Sequence, residues 1–235
     1  QLVFIFSALI SMSLSAQTDS ETLRTIYTTS LTNGKSYEWL DHLSNQIGGR
    51  LSGSLNAEKA VAYTKEELEK LGLDKVWLQP VTVPHWVRGD KEQLRIVGSG
   101  AVGSMDLKAV ALGNTTGTGE FGITAEVVEV QSLDEVDELG EAGVKGKIVF
   151  FNRPMNPTQL NTFAAYGGAV GQRAYGANRA AKYGAVGVVV RSMTTRLDDV
   201  PHTGSAIVVE GEPTVPALSV STNDAELLSR LLKKE

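Results

Sequence analysis

Cysteine is absent from the 235-residue chain. That excludes disulfides, thiolate metal sites and a cysteine nucleophile together. It also excludes a lipid anchor built on an N-terminal cysteine. A basic excess is missing as well: 22 Lys and Arg against 27 Asp and Glu leave a formal net charge of -5. An acidic balance of this kind argues against nucleic acid as a partner, because such binders carry a basic footprint. Only three histidines occur, His42, His85 and His202. None stands in H-E-x-x-H or another metal-ligand spacing, and each reads first as a surface or hydrogen-bonded histidine. His202 stands out among them because it lies in a loop, "VPHTGS", and loops carry function more often than scaffold does. G-x-S-x-G is absent. The loop "GRLSGS" lacks the G-K-[ST] ending of a phosphate loop, and its Arg50 is expected to pair with an acidic residue and hold the entry of the next helix.

One long apolar run is present. Leu2 to Ala16, "LVFIFSALISMSLSA", is apolar and then small, the pattern of the core and cleavage region of a secretory signal peptide. It is shorter than the roughly 20 apolar residues a membrane span needs. Residues 1–16 are therefore expected to be a signal-peptide remnant, and the chain to be exported into the periplasm or outside the cell. No other segment reads as membrane-spanning.

The remaining residues are sufficient for a packed core, with 42% hydrophobic and 21% charged. Residues 19–47 have helical spacing, with Trp39, Leu40, Leu43 and Ile47 on one face and Gly48 and Gly49 as the stop. Asn56 is the expected N-cap of a second helix whose stripe is Ala57, Ala60, Val61, Thr64, Leu68 and Leu71, ended by Gly72. "KVWLQPVTVPHWVRG" has strand character with prolines at its ends.

"LRIVGSGAVGS", from Leu94 to Ser104, contains a G-x-G-x-x-G, the lettering of a dinucleotide-binding loop. Such a loop must open a helix whose N-terminus receives the pyrophosphate. Here Met105, Leu107, Ala109 and Ala111 alternate with Asp106, Lys108 and Val110, mainly at period two. The spacing predicts a β-hairpin with its turn at Gly98–Gly103, which demotes a nicotinamide or flavin enzyme.

After Gly119 the pattern becomes α/β. "ITAEVVEV", "KIVFFNRP", "AVGVVVRS", "AIVVE" and "VPALSVS" read as strands, and "SLDEVDELGEAGVKG" as a short acidic helix or turn. Its Asp134, Glu135, Asp137, Glu138 and Glu141 read as a solvated face rather than a cation site. "GQRAYGANRAAKYG" reads as a small-residue helix. Strand, helix and strand over Lys147–Ser192 predict a βαβ unit with parallel strands, interrupted by a long loop, "PMNPTQLNTFAAYGGAVG". A last helix follows Ser221, which stands in capping-box spacing with Asp224, and carries Leu227, Leu228, Leu231 and Leu232 as its apolar face.

These stretches together resemble a known family. "IGGRLSGSLNAEKAVAYTKEELEKLGLDKVWLQPVTVPHWVRG" is similar to the opening of secreted zinc-dependent exopeptidases of the plasma glutamate carboxypeptidase, or carboxypeptidase Q, group and its bacterial aminopeptidase relatives. "GKIVFFNRP", "YGANRAAKYGAVGVVVRSMT", "PHTG" and "VPALSVSTNDAELLSRLL" resemble the protease-associated domain inserted in that group. The resemblance implies an α/β fold class. Residues 19–117 would be the N-terminal helices and first strands of an incomplete zinc-exopeptidase domain, 118–222 the protease-associated domain, and 223–235 a helix leading back to the catalytic domain.

It also implies an enzyme whose two zinc ions and general-base glutamate are supplied downstream of Glu235. This chain then holds no metal ligand and no catalytic residue of its own, is inactive alone, and is expected to leave apolar edges exposed in its first half. The implied partner is a peptide substrate, without nucleic acid or membrane; a homodimer is the oligomeric arrangement left open. By position, the loops around Tyr166 and Gly167 and around His202 are the ones expected to shape substrate access. A non-catalytic binding or lid module is the alternative reading.

Overall fold

The computed structural model of the chain describes residues 18–234; the proposed signal peptide lies outside them. The chain divides between His85 and Trp86 into two units.

The first unit is helical. Helix α1 (Asp19–Asn33) opens on a capping box in which Thr18 and Glu21 satisfy each other's backbone N–H. Helix α2 (Ser36–Asp41) runs on into a π-helical turn over His42–Ile47. Helix α3 (Leu55–Lys70) follows. Its cap is Ser54, not the expected Asn56: Ser54 Oγ accepts from the Ala57 N–H at 3.2 Å. The Asn56 side chain is already committed, donating to the Gly49 carbonyl at 3.1 Å. Gly72, at φ +70°, turns the chain out of the helix. Trp39 and α3 are tied by the indole N–H, which donates to Glu67 at 2.9 Å. Arg50 does not hold the entry of α3 and takes no acidic side chain: it donates to the main-chain carbonyls of Leu43 and Gly48, at the exit of the preceding π-helical turn.

The expected stripe on α3 is present as a pattern and is uncovered. No residue of α3 is buried, Val61 is 52% exposed and Trp77, in the following segment, 64%. The stretch 75–89 forms no strand among the described residues. Its composition suits a strand, but a strand exists only through a ladder partner, and none of the described residues supplies one.

The second unit contains all the strands among the described residues. β1 (Leu94–Ser99) and β2 (Gly103–Leu107) pair antiparallel. The glycine-rich stretch is the hairpin turn that the alternation predicts. Gly98 and Gly103 sit at φ +72° and +66°, left-handed values that a side chain would strain, and a strand rather than a helix leaves Gly103. A dinucleotide loop is thereby excluded. Leu94, Ile96, Met105 and Leu107 face inward, while Arg95 and Asp106 pair at 3.0 Å on the open face.

A five-stranded sheet follows, in the order β3-β7-β6-β5-β4. β4 (Val127–Val130), β5 (Ile148–Phe151), β6 (Gly187–Arg191) and β7 (Ala217–Val220) run parallel, and β3 (Ala109–Ala111) closes one edge antiparallel to β7. Period two sends Val149, Phe151, Val188 and Val190 to one face and Phe150, Val189 and Val220 to the other. The first face packs on α4 (Leu133–Val144) and α5 (Thr162–Ala181). The second packs on α6 (Thr222–Leu232) and on the β1–β2 hairpin.

Three details depart from the expected pattern. α5 begins at Thr162, so ten residues of the stretch taken as loop are helix; Ala165 and Ala169 bury there, and apolar spacing rich in glycine hides that signal. "AIVVE" (206–210) forms no strand; the bridge nearest to it joins Gly113 to Ser205, just before it. The capping box of α6 is half made. Ser221 Oγ accepts from the Asp224 N–H at 3.1 Å, but Asp224 turns to the Lys108 N–H at 2.5 Å and so ties α6 to the approach of β3.

Candidate functional site: a cavity beyond the parallel strand ends

Beyond the C-terminal ends of β5 and β6 lies a cavity of about 470 Å³. Ligand crevices in open α/β sheets favour this location, because the loops leaving parallel strands splay apart there. Its walls come from the loop after β5, the first turns of α5, the loop after β6, and His202. Met155 and Met193 are buried at its base, whereas Leu160 and Phe163, beside its mouth, are 99% and 88% exposed. Methionine is an adaptable wall for irregular apolar groups.

The walls are pinned by polar side chains, of which Gln172 and Ser192 are buried. Gln172, on α5, accepts from the Arg153 N–H at 3.1 Å and donates to the Arg153 carbonyl at 2.8 Å, fixing the chain as it leaves β5. Asn161 caps α5 by accepting from the Ala164 N–H at 3.1 Å. Ser192, just past β6, accepts from the His202 N–H at 2.8 Å and donates to the Val220 carbonyl at 2.7 Å. Thr203 Oγ1 donates to the Ala111 carbonyl at 2.8 Å. Gln172 and Ser192 are missed by sequence reasoning because a lone Gln in a small-residue helix and a Ser after a strand carry no motif.

The structure brings Tyr166 and His202, 36 positions apart in the chain, onto this one cavity. The other histidines are elsewhere: His42 stacks on Tyr63 with ring centroids 3.9 Å apart, and His85 packs beside Gly53. The acidic stretch on α4 is a partnered helix face. Asp137 takes Arg179 and the Tyr183 hydroxyl, Glu135 accepts from the Gln131 N–H at 2.7 Å, and Glu141 pairs with Lys145. Asp137 as hydrogen-bond acceptor, then burial, raise the Tyr183 phenol above its ordinary value. Among the described residues, no three His, Asp or Glu side chains converge as metal ligands would. No general base is aligned with a nucleophile in the cavity. The arrangement can receive an apolar group on its methionine base and offer it a phenol and an imidazole.

A PA domain family model matches residues 123–228. Carboxypeptidase Q of Xenopus laevis is 38% identical over 200 residues, covering 85% of this chain and 40% of that protein. The Homo sapiens protein of the same name is 36% identical over 197 residues, 84% of this chain and 39% of its own length. The crystal structure of a peptidase M28 precursor from Shewanella amazonensis superposes with a TM-score of 0.79 at 29% identity, over 91% of this chain and 47% of that one. The chain thus spans about 40% of the length of the curated relatives it matches. It contains a PA domain and is a partial-length homologue of the carboxypeptidase Q peptidases.

Proposed function

We propose that this sequence is the N-terminal part of a secreted dizinc exopeptidase acting on dipeptides or short peptides, and that its PA domain shapes substrate access. Residues 19–117 then open the peptidase domain, 118–222 form the inserted domain, and 223–235 lead back. One observation carries the access role. Tyr166, which lies near the start of α5 rather than in the expected loop, and His202, in the loop after β6, meet at one cavity with a buried methionine base. The homology to carboxypeptidase Q supports a peptide as substrate, and the apolar run at residues 2–16 supports export. No helix among the described residues is long and apolar enough to cross a membrane.

Zinc ions, when held by the whole protein, polarise a scissile carbonyl and supply hydroxide near neutral pH. The described residues offer no donor set for them, so no chemical step is assigned to this chain.

The test is kinetic. In the whole protein that carries this sequence, Tyr166→Ala and His202→Ala should raise KM or change the ranking of dipeptides while leaving kcat in place. Wild-type kinetics and ranking in both variants remove the access role. A non-catalytic lid or binding module is the second reading, supported by the second unit's closed core. It predicts peptide binding by this chain without turnover by the whole protein.

A further inference from the structure

Arg173 lies on α5, two turns after Tyr166, and does not itself line the cavity. Among the described residues it has no carboxylate within ion-pair distance, unlike Arg179 with Asp137 or Arg191 with Glu226 at 2.7 Å. Its Nε is buried without a hydrogen-bond partner. A half-buried arginine with neither counter-ion nor full hydrogen bonding is not explained by charge pairing.

Shape explains it better. The guanidinium carbon sits 5.4 Å from the centroid of the Tyr166 ring, and an Arg173 N–H donates to the Tyr166 hydroxyl oxygen. Gly204 lies against the same guanidinium. A Cβ placed there would stand 2.6 Å from Arg173 Nε and 2.7 Å from an Nη, closer than real Cβ contacts allow. Gly204 is fixed in turn: its carbonyl accepts from the Gly113 N–H at 2.8 Å, and His202 and Thr203 are tied to Ser192 and Ala111. The planar guanidinium therefore fills a slot between the Tyr166 side chain and the backbone of the loop that carries His202. A lysine has no plane with which to do this.

We infer that Arg173 is a positioning residue that holds Tyr166 and the His202 loop in register across the cavity, with Gly204 required as glycine to admit it. The inference deepens the access reading and rests on it for its functional consequence. Its structural consequence can be measured separately.

The experiment compares wild type with Arg173→Ala, the milder Arg173→Lys, Gly204→Ala and Tyr166→Ala in the whole protein that carries this sequence. Hydrogen exchange is read by segment, and kcat and KM are read on a dipeptide panel. Arg173→Ala and Gly204→Ala should both speed exchange in residues 162–170 and 201–206 and leave β5 and β6 at wild-type rates. KM should rise about fivefold with kcat unchanged, the scale of one lost hydrogen bond. Adding Arg173→Ala to Tyr166→Ala should raise KM no further, because both remove one unit.

Wild-type exchange in 162–170 and 201–206 for all three Arg173 and Gly204 variants overturns the positioning role. Faster exchange with wild-type KM, in a protein where Tyr166→Ala does raise KM, overturns its part in access. Faster exchange with wild-type KM in Tyr166→Ala as well supports the positioning role and contradicts the access reading itself.

Discussion

Helices α3 and α6 carry apolar stripes of the same kind and meet opposite fates. On α6, Ala225 and Leu228 are buried against Phe150, Val189, Val220 and the β1–β2 hairpin, and Leu231 is buried as well. On α3, Val61 and Leu68 stay exposed, and no described residue before Leu107 is buried. Helix propensity and capping are adequate in both: Ser54 and Ser221 each accept an N–H as the N-cap. The difference is the partner. A stripe marks the face that needs cover, and a sheet with alternating Val and Phe is the cover α6 finds. The second unit closes two cores, one on each face of its sheet. The first unit supplies helices whose apolar face the described residues leave open.

The most severe break in this contrast is a core truncation. Phe151→Ala, at a fully buried site, should cost about 3–5 kcal/mol, whereas Leu68→Ala should cost below about 1 kcal/mol. Urea unfolding of each variant reads the two costs, and equal costs contradict the contrast. Overpacking comes next. A Cβ at Gly176 would lie 2.7 Å from the Phe151 ring, so Gly176→Ala should cost about 1–3 kcal/mol by the same measurement. Gly204→Ala separates from it by loosening a loop rather than the core.

Smaller effects sharpen the comparison at the caps. Ser221→Ala should destabilise the second unit globally by about 1 kcal/mol, because α6 is part of a closed core. Ser54→Ala removes the same type of bond, yet its effect should be confined to faster exchange at residues 55–58.

The smallest effect is a pH dependence. Burial alone would raise the Glu92 carboxyl, but hydrogen bonds from its own N–H and that of Ala111, together with Arg88, outweigh it and hold it below the ordinary 4.5. A depressed carboxyl contributes stability above its unfolded value and loses it as pH falls through the folded one. The attachment of residues 88–92 to β3 should therefore weaken below about pH 4.5. Glu92→Gln should flatten that part of the stability–pH curve; an unchanged curve assigns the acid sensitivity to other carboxylates.

Much of the second unit is legible in the sequence because its signals are local. Period two in Met105–Ala111 separates hairpin from dinucleotide loop without a structure. Continuous apolar runs, Ile148–Phe151 and Val188–Val190, locate β5 and β6, the form that buried parallel strands take. Three of the errors share one cause, a signal that lies in a partner. Residues 75–89 read as strand and find no ladder. "AIVVE" has strand composition but lies where only Ser205 bridges. Arg50 has the chemistry for a carboxylate and is taken by carbonyls. At the candidate site, Tyr166 and His202 are suggested by resemblance to a family. Gln172, Ser192 and Arg173, which hold the walls, have no motif, because their meaning comes from what they touch.

The most direct test is segment-resolved hydrogen exchange on the 235-residue chain. Amides of β5, β6, β7, α5 and α6 should exchange only through global unfolding, and those of α3 orders of magnitude faster. Protection in α3 equal to that in β6 would contradict the claim that the second unit alone closes its core.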